Sequence, residues 1–239
     1  MPLSSTLTAI VTGGSRGIGL ATAELLVSRG VSVAIAGTTR ATLDNAAALL
    51  GRSGARVLAL DADVRDQRQV SAAMERVVAE WGGLDILVNN AGVGGFVEVA
   101  EMTGDQWHRV LDTNLTGVFH CCHAAIPHLA ARGGGFIVNV SSLAGDNPFA
   151  GGAAYCASKA GLNAFSMALM QEVRHKGIRV SCIAPGSVRT AFSSGGDAVG
   201  TEWKLAPEDV AQAIVDVLDH PSRSLPSRID IRPARPPRK

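Results

Sequence analysis

Tyr155 and Lys159 are four residues apart, a spacing that places two side chains on one face of a helix. A free tyrosine has a pKa of about 10, too high for ready proton exchange near neutral pH. An ammonium group about 4 Å away, at an effective dielectric constant of about 20, favours the phenolate by up to about 4 kcal/mol. The pair is therefore suited to protonating an oxygen, and Ser142 offers a second hydroxyl to hold a carbonyl oxygen. The spacing alone also fits two ordinary surface neighbours, so the rest of the chain decides.

Short apolar segments alternate with longer helical patterns along the 239 residues, which indicates a parallel sheet covered by helices on both faces. The apolar segments predict strands at residues 7–12, 32–36, 56–61, 86–89, 136–140, 179–183 and 228–231. The periodic segments predict helices at residues 18–28, 41–50, 66–81, 103–130, 153–176 and 207–218. Because no repeat or linker divides the chain, we expect one α/β domain over residues 1–239, with a doubly wound parallel sheet of about seven strands.

A glycine-rich loop at residues 12–19 follows the first predicted strand and opens the first helix. Gly13 allows the tight turn, Gly17 lets the backbone approach a pyrophosphate, and Gly19 lets helix and strand pack closely. The helix N-terminus then presents N–H groups and a positive dipole end to the phosphates. The spacing Gly-x-x-x-Gly-x-Gly differs from the commonest dinucleotide fingerprint, so a structural glycine turn is the alternative at this point.

The end of the second strand indicates which dinucleotide fits the loop. A site for NAD places an acidic residue there to bind the ribose 2′-hydroxyl. Here the residues are Gly37-Thr38-Thr39-Arg40, and the next acid is Asp44. Arg16 and Arg40 would supply positive charge to a 2′-phosphate, and Thr38 a hydroxyl donor. The sequence therefore predicts NADP(H).

Further segments complete the pattern at the ends of later strands: Asp63-Val64, Asn89-Asn90-Ala91-Gly92 and Pro185-Gly186-Ser187-Val188-Arg189-Thr190. Together with the glycine loop and with Asn114, Ser142, Tyr155 and Lys159, they resemble the short-chain dehydrogenase/reductase family in order and spacing from about residue 6 to about residue 220. The resemblance implies a Rossmann-type fold with a carbonyl bound at the carboxyl edge of the sheet.

The resemblance also implies a role for each matching residue. Asn114, Ser142, Tyr155 and Lys159 would form a catalytic tetrad. Tyr155 would protonate the developing alkoxide and Ser142 would hydrogen-bond it; Lys159 would lower the Tyr155 pKa and hold the nicotinamide ribose, and Asn114 would anchor a water that relays protons. The implied cofactor-binding residues are Gly13, Ser15, Arg16, Gly17, Ile18, Gly19, Thr38, Arg40, Asp63, Val64, Asn90, Ala91, Gly92, Tyr155, Lys159, Pro185, Gly186, Val188 and Thr190.

Within the family, the glycine loop and Thr38 are most similar to 3-oxoacyl-[acyl-carrier-protein] reductases and related carbonyl reductases. Two segments depart from that pattern: the substrate lid at residues 191–204 is short and glycine-rich, and residues 228–233 read Arg-Ile-Asp-Ile-Arg-Pro where those reductases usually have a Val-Asp-Gly-Gly strand. A basic, proline-rich tail follows at residues 232–239. We expect the lid to be mobile and the tail to be a frayed, solvated end. Trp203, near the lid, is a candidate lining residue of a substrate pocket.

The predicted function is reduction of a ketone or 3-oxoacyl compound, possible acyl thioesters included, with NADP(H). Two alternatives remain: an alcohol or polyol dehydrogenase that works oxidatively, and a non-catalytic NADP-binding sensor or scaffold. The family's long fourth and fifth helices pair across two-fold axes, so the resemblance implies a homo-oligomer, most often a tetramer.

Composition limits the other partners. A net charge of +1 gives no electrostatic footprint for nucleic acid or an anionic membrane. No apolar run is long enough to cross a bilayer, and no basic leader precedes the first strand, so we expect a cytoplasmic protein. The four cysteines lack a Cys-x-x-Cys spacing and read as buried thiols. The run from His120 to His123 spreads its side chains round a helix, so no metal site is predicted.

Overall fold

The computed structural model describes residues 6–190, 192 and 201–237, and within them seven parallel strands form one sheet. The strands are β1 (Thr8–Thr12), β2 (Ser32–Gly37), β3 (Val57–Asp61), β4 (Ile86–Asn89), β5 (Gly135–Val140), β6 (Ile178–Pro185) and β7 (Arg228–Ile231). Their order across the sheet is β3-β2-β1-β4-β5-β6-β7. The predicted doubly wound, Rossmann-type α/β fold is therefore confirmed.

Helices cover both faces of the sheet: α1 (Gly17–Ser28), α2 (Arg40–Leu50), α3 (Gln67–Trp81), α4 (Gly104–Leu111), α5 (Gly117–Ala131), α6 (Ala153–Val173) and α7 (Pro207–Leu218). Local sequence fixes several of their starts. The Asp66 carboxylate accepts hydrogen bonds from the first turn of α3, and Thr103 and Gln106 form a capping box at α4. None of the helices in the described ranges is long and apolar enough to span a membrane.

The single helix predicted at residues 103–130 is wrong in one respect. A π-helical turn, Asp112–Thr116, separates α4 from α5. Such a turn adds one residue to the hydrogen-bonded ring and rotates the helix that follows, and it is found often at functional sites. Its middle residue is Asn114, so the departure from regular helix occurs at a candidate site residue. The helix predicted at residues 153–176 likewise ends at Val173 and continues as a 3₁₀ turn.

The two faces of the sheet pack into two separate apolar clusters. Along β1, Ala9 and Val11 pack with residues of α1 and α7, whereas Ile10 packs with residues of α3, α5 and α6. All five residues of β1 are buried, because helices cover both sides. The strand order reverses between β1 and β4, and a crevice opens at the carboxyl ends of such strands. Thr12 and Asn89 end these two strands, so the sheet itself locates the site.

Candidate active site

A cleft of about 1350 Å³ runs along the carboxyl ends of the strands. The segments that follow all seven strands contribute lining residues. The volume exceeds the roughly 300–1,000 Å³ of a pocket for one small molecule. The cleft therefore has room for an elongated cofactor together with a second, smaller molecule.

The glycine loop borders the cleft with a backbone that glycine adopts most readily. Gly13 has a φ of +63°, and its N–H donates to the Ala36 carbonyl at 2.7 Å. A Cβ at Gly19 would lie 2.3 Å from the Gly13 carbonyl oxygen, so any larger residue would displace the loop. Arg16 is the N-cap of α1, where no side chain caps the helix. The N-terminus of α1 thus offers its N–H groups to the cleft, an arrangement that fits a pyrophosphate.

The structure places most of the loop's predicted cofactor residues at the cleft. The lining set is Gly13, Ser15, Arg16, Gly17 and Ile18. Gly19 lies behind the loop instead, where it permits the close packing of α1 on the Gly13 backbone.

Thr12 and Asn90 hold the glycine loop against the end of β4. The Asn90 side-chain amide donates to the carbonyls of Thr12 at 2.9 Å and Gly13 at 3.2 Å. In return, the backbone N–H groups of Asn90 and Ala91 each donate to the Thr12 hydroxyl at 3.0 Å. Asn90, Ala91 and Gly92 all line the cleft, and the Asn90 side chain braces the loop. The shape of the phosphate cradle therefore depends on two strands, not on the loop alone.

The cleft beyond the glycine loop contains Thr38, Asp63 and Val64 as predicted, but it does not contain Arg40. Arg40 forms an ion pair with Asp44 at 2.8 Å, one helical turn along α2, and its side chain is 62% exposed. The structure therefore does not support the prediction that Arg40 binds the cofactor, because the Asp44 carboxylate on the same helix holds the Arg40 guanidinium.

Two residues that sequence reasoning missed line this end of the cleft, Arg65 and Thr42. The Arg65 guanidinium contacts the Asp63 carboxylate at 2.6 Å, and this hydrogen bond holds the pKa of Asp63 below its usual value. Thr42 donates to the Ser15 hydroxyl at 3.4 Å, which links α2 to the glycine loop. Arg65 follows Asp63 by two residues, a spacing at which one side chain folds back on the other; that signal was present in the sequence.

Ser142 and Tyr155 both line the cleft, and the Ser142 side chain is close enough to the phenol to influence its pKa. Ser142 lies two residues after the end of β5 and is the N-cap of a short 3₁₀ turn. Its hydroxyl accepts a hydrogen bond from the Ala144 N–H at 3.1 Å. Burial raises the pKa of Tyr155 above its usual value, and the neighbouring Ser142 side chain offsets this only in part. The phenol therefore stays protonated at neutral pH.

Lys159 lies one helical turn after Tyr155, and its side chain is directed to the end of β5. Its ammonium donates to the Val140 carbonyl at 2.9 Å and lies 5.8 Å from the centre of the Tyr155 ring. Burial lowers the pKa of Lys159 to about 8. The expectation that Lys159 brings the phenol towards neutrality is not met in this arrangement, because desolvation dominates the pKa of both groups.

Asn114 is fully buried behind the cleft rather than on its surface. Its side chain accepts the Val93 N–H at 2.8 Å and donates to the Val93 carbonyl at 2.9 Å. It also donates to the Ser158 hydroxyl at 3.1 Å, on the same helix as Tyr155 and Lys159. A Cβ at Gly92 would lie 3.3 Å from Asn114 Oδ1 and 3.9 Å from Lys159 Nζ, so these two side chains flank Gly92. The π-helical turn thus ties the loop after β4 to α6.

The turn after β6 completes the middle of the cleft, with four predicted residues among its lining: Pro185, Gly186, Val188 and Thr190. A parallel bridge between Val188 and Leu205 holds this turn against the segment that precedes α7. Trp203 lines the cleft, as the sequence suggested. Most of the lid predicted at residues 191–204 lies outside the described residues, so its predicted mobility stays a prediction.

Two phenyl rings contact Tyr155 and a third packs on one of them, and sequence reasoning did not find these three residues. Phe96 and Phe192 have ring centres 5.6 and 5.7 Å from that of Tyr155, and Phe149 lies 5.8 Å from Phe96. We call these three residues the phenyl collar. Each is between 41% and 48% exposed, an unusual exposure for phenylalanine that leaves apolar surface beside a reactive hydroxyl. They come from three separate loops, so no spacing in the sequence brings them together.

The C-terminal tail also differs from the solvated end expected from the sequence. Arg232, Pro233 and Pro236 line the cleft beyond β7.

Comparison with known proteins gives consistent results. The sequence model of the short-chain dehydrogenase family matches residues 7–197. The chain is 38% identical over 232 residues to 3-oxoacyl-[acyl-carrier-protein] reductase of Chlamydia muridarum, with 92% of this chain and 93% of that protein covered. It is 40% identical over 216 residues to cis-4-hydroxycyclohexanecarboxylate dehydrogenase of Sinomonas cyclohexanicum, with 86% of each covered. L-sorbose reductase from Gluconobacter frateurii, solved with NADPH and L-sorbose, matches with a TM-score of 0.89 and 30% identity over 98% of each chain.

Proposed function

The chain belongs to the short-chain dehydrogenase/reductase family, and from that premise we propose that it reduces a ketone to a secondary alcohol with NADPH. It is an oxidoreductase of the hydride-transferring kind. The observation that carries the proposal is the meeting of Ser142, Tyr155 and Lys159 in the cleft at the carboxyl ends of the strands. NADPH, when bound, supplies the hydride that adds to the carbonyl carbon.

The side chains of the cleft supply the proton and hold the oxygen. As the carbon–oxygen π pair moves onto oxygen, Tyr155 donates its phenolic proton, and Ser142 hydrogen-bonds the same oxygen. A phenol that burial keeps protonated suits this direction, because reduction needs a proton donor. Lys159, with a pKa of about 8, is protonated at neutral pH and returns a proton to the phenolate.

The same proposal assigns NADPH rather than NADH to the adenine end of the cleft. Thr38, Thr39 and Arg16 border this region, and the nearest lining carboxylate, Asp63, is paired with Arg65. A 2′-phosphate would therefore meet hydroxyl and guanidinium donors, whereas a 2′-hydroxyl would lack a free carboxylate. The NADPH complex of L-sorbose reductase supports this choice by similarity.

The carbonyl substrate follows from similarity only in outline. One relative acts on 3-oxoacyl thioesters of acyl carrier protein and another on a hydroxycyclohexanecarboxylate. Both substrates carry a secondary alcohol or ketone, the reacting group that Tyr155 and Ser142 would hold. The second relative is named as a dehydrogenase, so oxidation of a cyclic secondary alcohol is the second candidate.

The test is Tyr155→Phe, which removes one hydroxyl. NADPH oxidation is followed over acyl thioesters, diketones, quinones and keto-sugars, and turnover on the best substrate is expected to fall by at least about 10²- to 10⁴-fold. NADPH binding should persist in this variant. Because Tyr155 is the one tyrosine in the chain, ultraviolet titration of the phenolate reports its pKa directly, and a value above about 10 is expected in the free protein. A variant that keeps half of the wild-type turnover would remove Tyr155 as the proton donor.

A further inference from the structure

The C-terminal tail is built into the cleft by contacts next to the reactive hydroxyls. The Gly186 N–H donates to the Ile231 carbonyl at 2.8 Å, which fixes the end of β7 beside the turn after β6. A Cβ at Gly186 would lie 3.0 Å from Cδ of Pro233 and 3.2 Å from Cδ1 of Leu143, the residue after Ser142. Proline restricts φ to about −65°, so Pro233 stiffens the tail at this contact. The tail is therefore an ordered edge of the substrate half of the cleft.

Arg232 lies between these two anchored residues and lines the cleft. Its guanidinium is 3.7 Å from the Asp230 carboxylate, beyond hydrogen-bonding distance, and its side chain is 60% exposed. Asp230 itself is held at 3.0 Å by Arg228, which also pairs with Asp146. Arg228 thus pairs with both neighbouring carboxylates, those of Asp146 and Asp230. The Arg232 guanidinium therefore has N–H donors available for a bound anion.

The charge of the cleft departs from that of the chain. Among the described lining residues Asp63 is the one acid, and seven are basic: Arg16, Arg65, Arg109, Lys159, Arg189, Lys204 and Arg232. The whole chain carries a net charge of only +1, so basic groups are concentrated along the cleft. The cofactor phosphates account for the basic groups near the glycine loop.

The position of β7 excludes Arg232 from binding those phosphates. The glycine loop follows β1, and four strand spacings separate β1 from β7, a distance of about 19 Å at about 4.8 Å per strand. Only two spacings, about 10 Å, separate β7 from β5, which carries Ser142 just beyond its end. An arginine side chain spans most of that gap, so an anion about one ring length from a carbonyl held by Ser142 and Tyr155 would come within its reach.

The phenyl collar supplies the remaining constraint. Its three partly exposed rings, Phe96, Phe149 and Phe192, would bury apolar surface of a substrate held next to Tyr155. Stacked or edge-on contacts with such rings favour a flat or cyclic group. A ketone held at Tyr155 would therefore pass its ring through the collar and extend its far end toward β7.

From these contacts we propose that the substrate is a cyclic or aromatic ketone with a carboxylate about one ring length from the carbonyl, and that Arg232 binds that carboxylate while the phenyl collar holds the ring. The inference rests on the proposed ketone reduction and adds its substrate class. Arg232 is then a specificity-determining residue that takes no part in proton or hydride transfer.

The experiment compares 4-acetylbenzoate with its methyl ester, two ketones that differ in one charge. Wild-type protein should show a kcat/KM at least about 10-fold higher for the acid, as a charge-assisted hydrogen bond allows. Arg232→Gln should remove that preference by lowering the value for the acid and leaving the ester unchanged. Arg235→Gln is the matched control, because Arg235 is in the same tail but is not a lining residue, and it should keep the wild-type preference.

A binding measurement separates this inference from catalysis. With NADP⁺ bound the ketone cannot be reduced, so calorimetry gives its dissociation constant, which Arg232→Gln should raise about 10-fold or more for the acid alone. Equal binding of acid and ester by wild-type protein, or loss of the preference in Lys204→Gln but not in Arg232→Gln, would overturn the assignment. If other ketones are reduced but both probes are rejected, the substrate class is wrong while ketone reduction stands. If Tyr155→Phe stays active, the proposed chemistry fails while the binding result is still valid.

Discussion

Lys159→Met should abolish activity, and at neutral pH it should remove the free-energy cost of burying a charged ammonium group. Lys159 is 5% exposed, and burial lowers its pKa from 10.5 to about 8 in the folded protein. Between these two values the unfolded chain binds more protons than the folded protein, so the stability of the wild type rises with pH through that range. Below about pH 8 the folded protein carries the full cost of a buried ammonium, about 3 kcal/mol, because its pKa falls from 10.5 to about 8. Methionine has a similar length and no charge, so the variant avoids that cost.

The loss of the hydrogen bond to Val140 acts in the opposite direction, by about 1–3 kcal/mol. That loss does not depend on the protonation of Lys159 in the unfolded chain, so it leaves the pH dependence intact. The stability of the variant relative to wild type should therefore fall by about 2–3 kcal/mol between pH 7 and pH 10.5.

The assay is urea unfolding followed by circular dichroism at pH 7, 8.5 and 10.5, with the same protein concentrations for each variant. Lys176→Met is the matched control, since Lys176 is exposed in the 3₁₀ turn after α6 and should show no pH-dependent difference. A constant stability difference between Lys159→Met and wild type over this range would refute the reasoning. It would mean that Lys159 titrates near its ordinary value in the folded protein.

Two further predictions concern cofactor choice and assembly. Arg16→Ala should weaken NADPH binding about 10- to 100-fold and leave NADH binding almost unchanged, whereas Arg40→Ala should alter neither, because Asp44 already holds Arg40. Wild-type protein that binds NADH as tightly as NADPH would contradict the assignment. Phe119 on α5 and Met167 on α6 are 46% and 37% exposed, and we expect these helices to pair between copies in a homo-oligomer, most often a tetramer. Light scattering that shows only a 24.7 kDa species at micromolar concentration would exclude it.

The sequence by itself determined the sheet and the order of the site segments along it. Continuous apolar runs mark strands that are covered on both faces, and this pattern survives tertiary folding because burial of such runs is required wherever they lie. The glycine loop was equally predictable, since the positive φ of Gly13 and the close approach at Gly19 admit few other residues. Both features are local: each depends on residues close together in the chain.

Tertiary structure decided how individual side chains are used. The position of Arg40 in the sequence predicts a cofactor contact, but the Asp44 carboxylate one turn away holds its guanidinium, whereas Arg65 lines the cleft. The π-helical turn at Asn114 could not be read from apolar periodicity, because its side chain is satisfied by Val93 and Ser158 from distant segments. Hydrogen-bond partners far apart in sequence leave no periodic signal.

The electrostatics of the site show the same division most clearly. The spacing of Tyr155 and Lys159 correctly predicted that they share a helix face, but the expected fall in the pKa of the phenol assumed an exposed, high-dielectric pair. Burial instead raises the pKa of Tyr155 and lowers that of Lys159, because desolvation disfavours the charged form of each group. Burial depends on every element packed around a residue. The sequence could therefore name the candidate groups for the proposed chemistry, and only the folded chain fixed their protonation states.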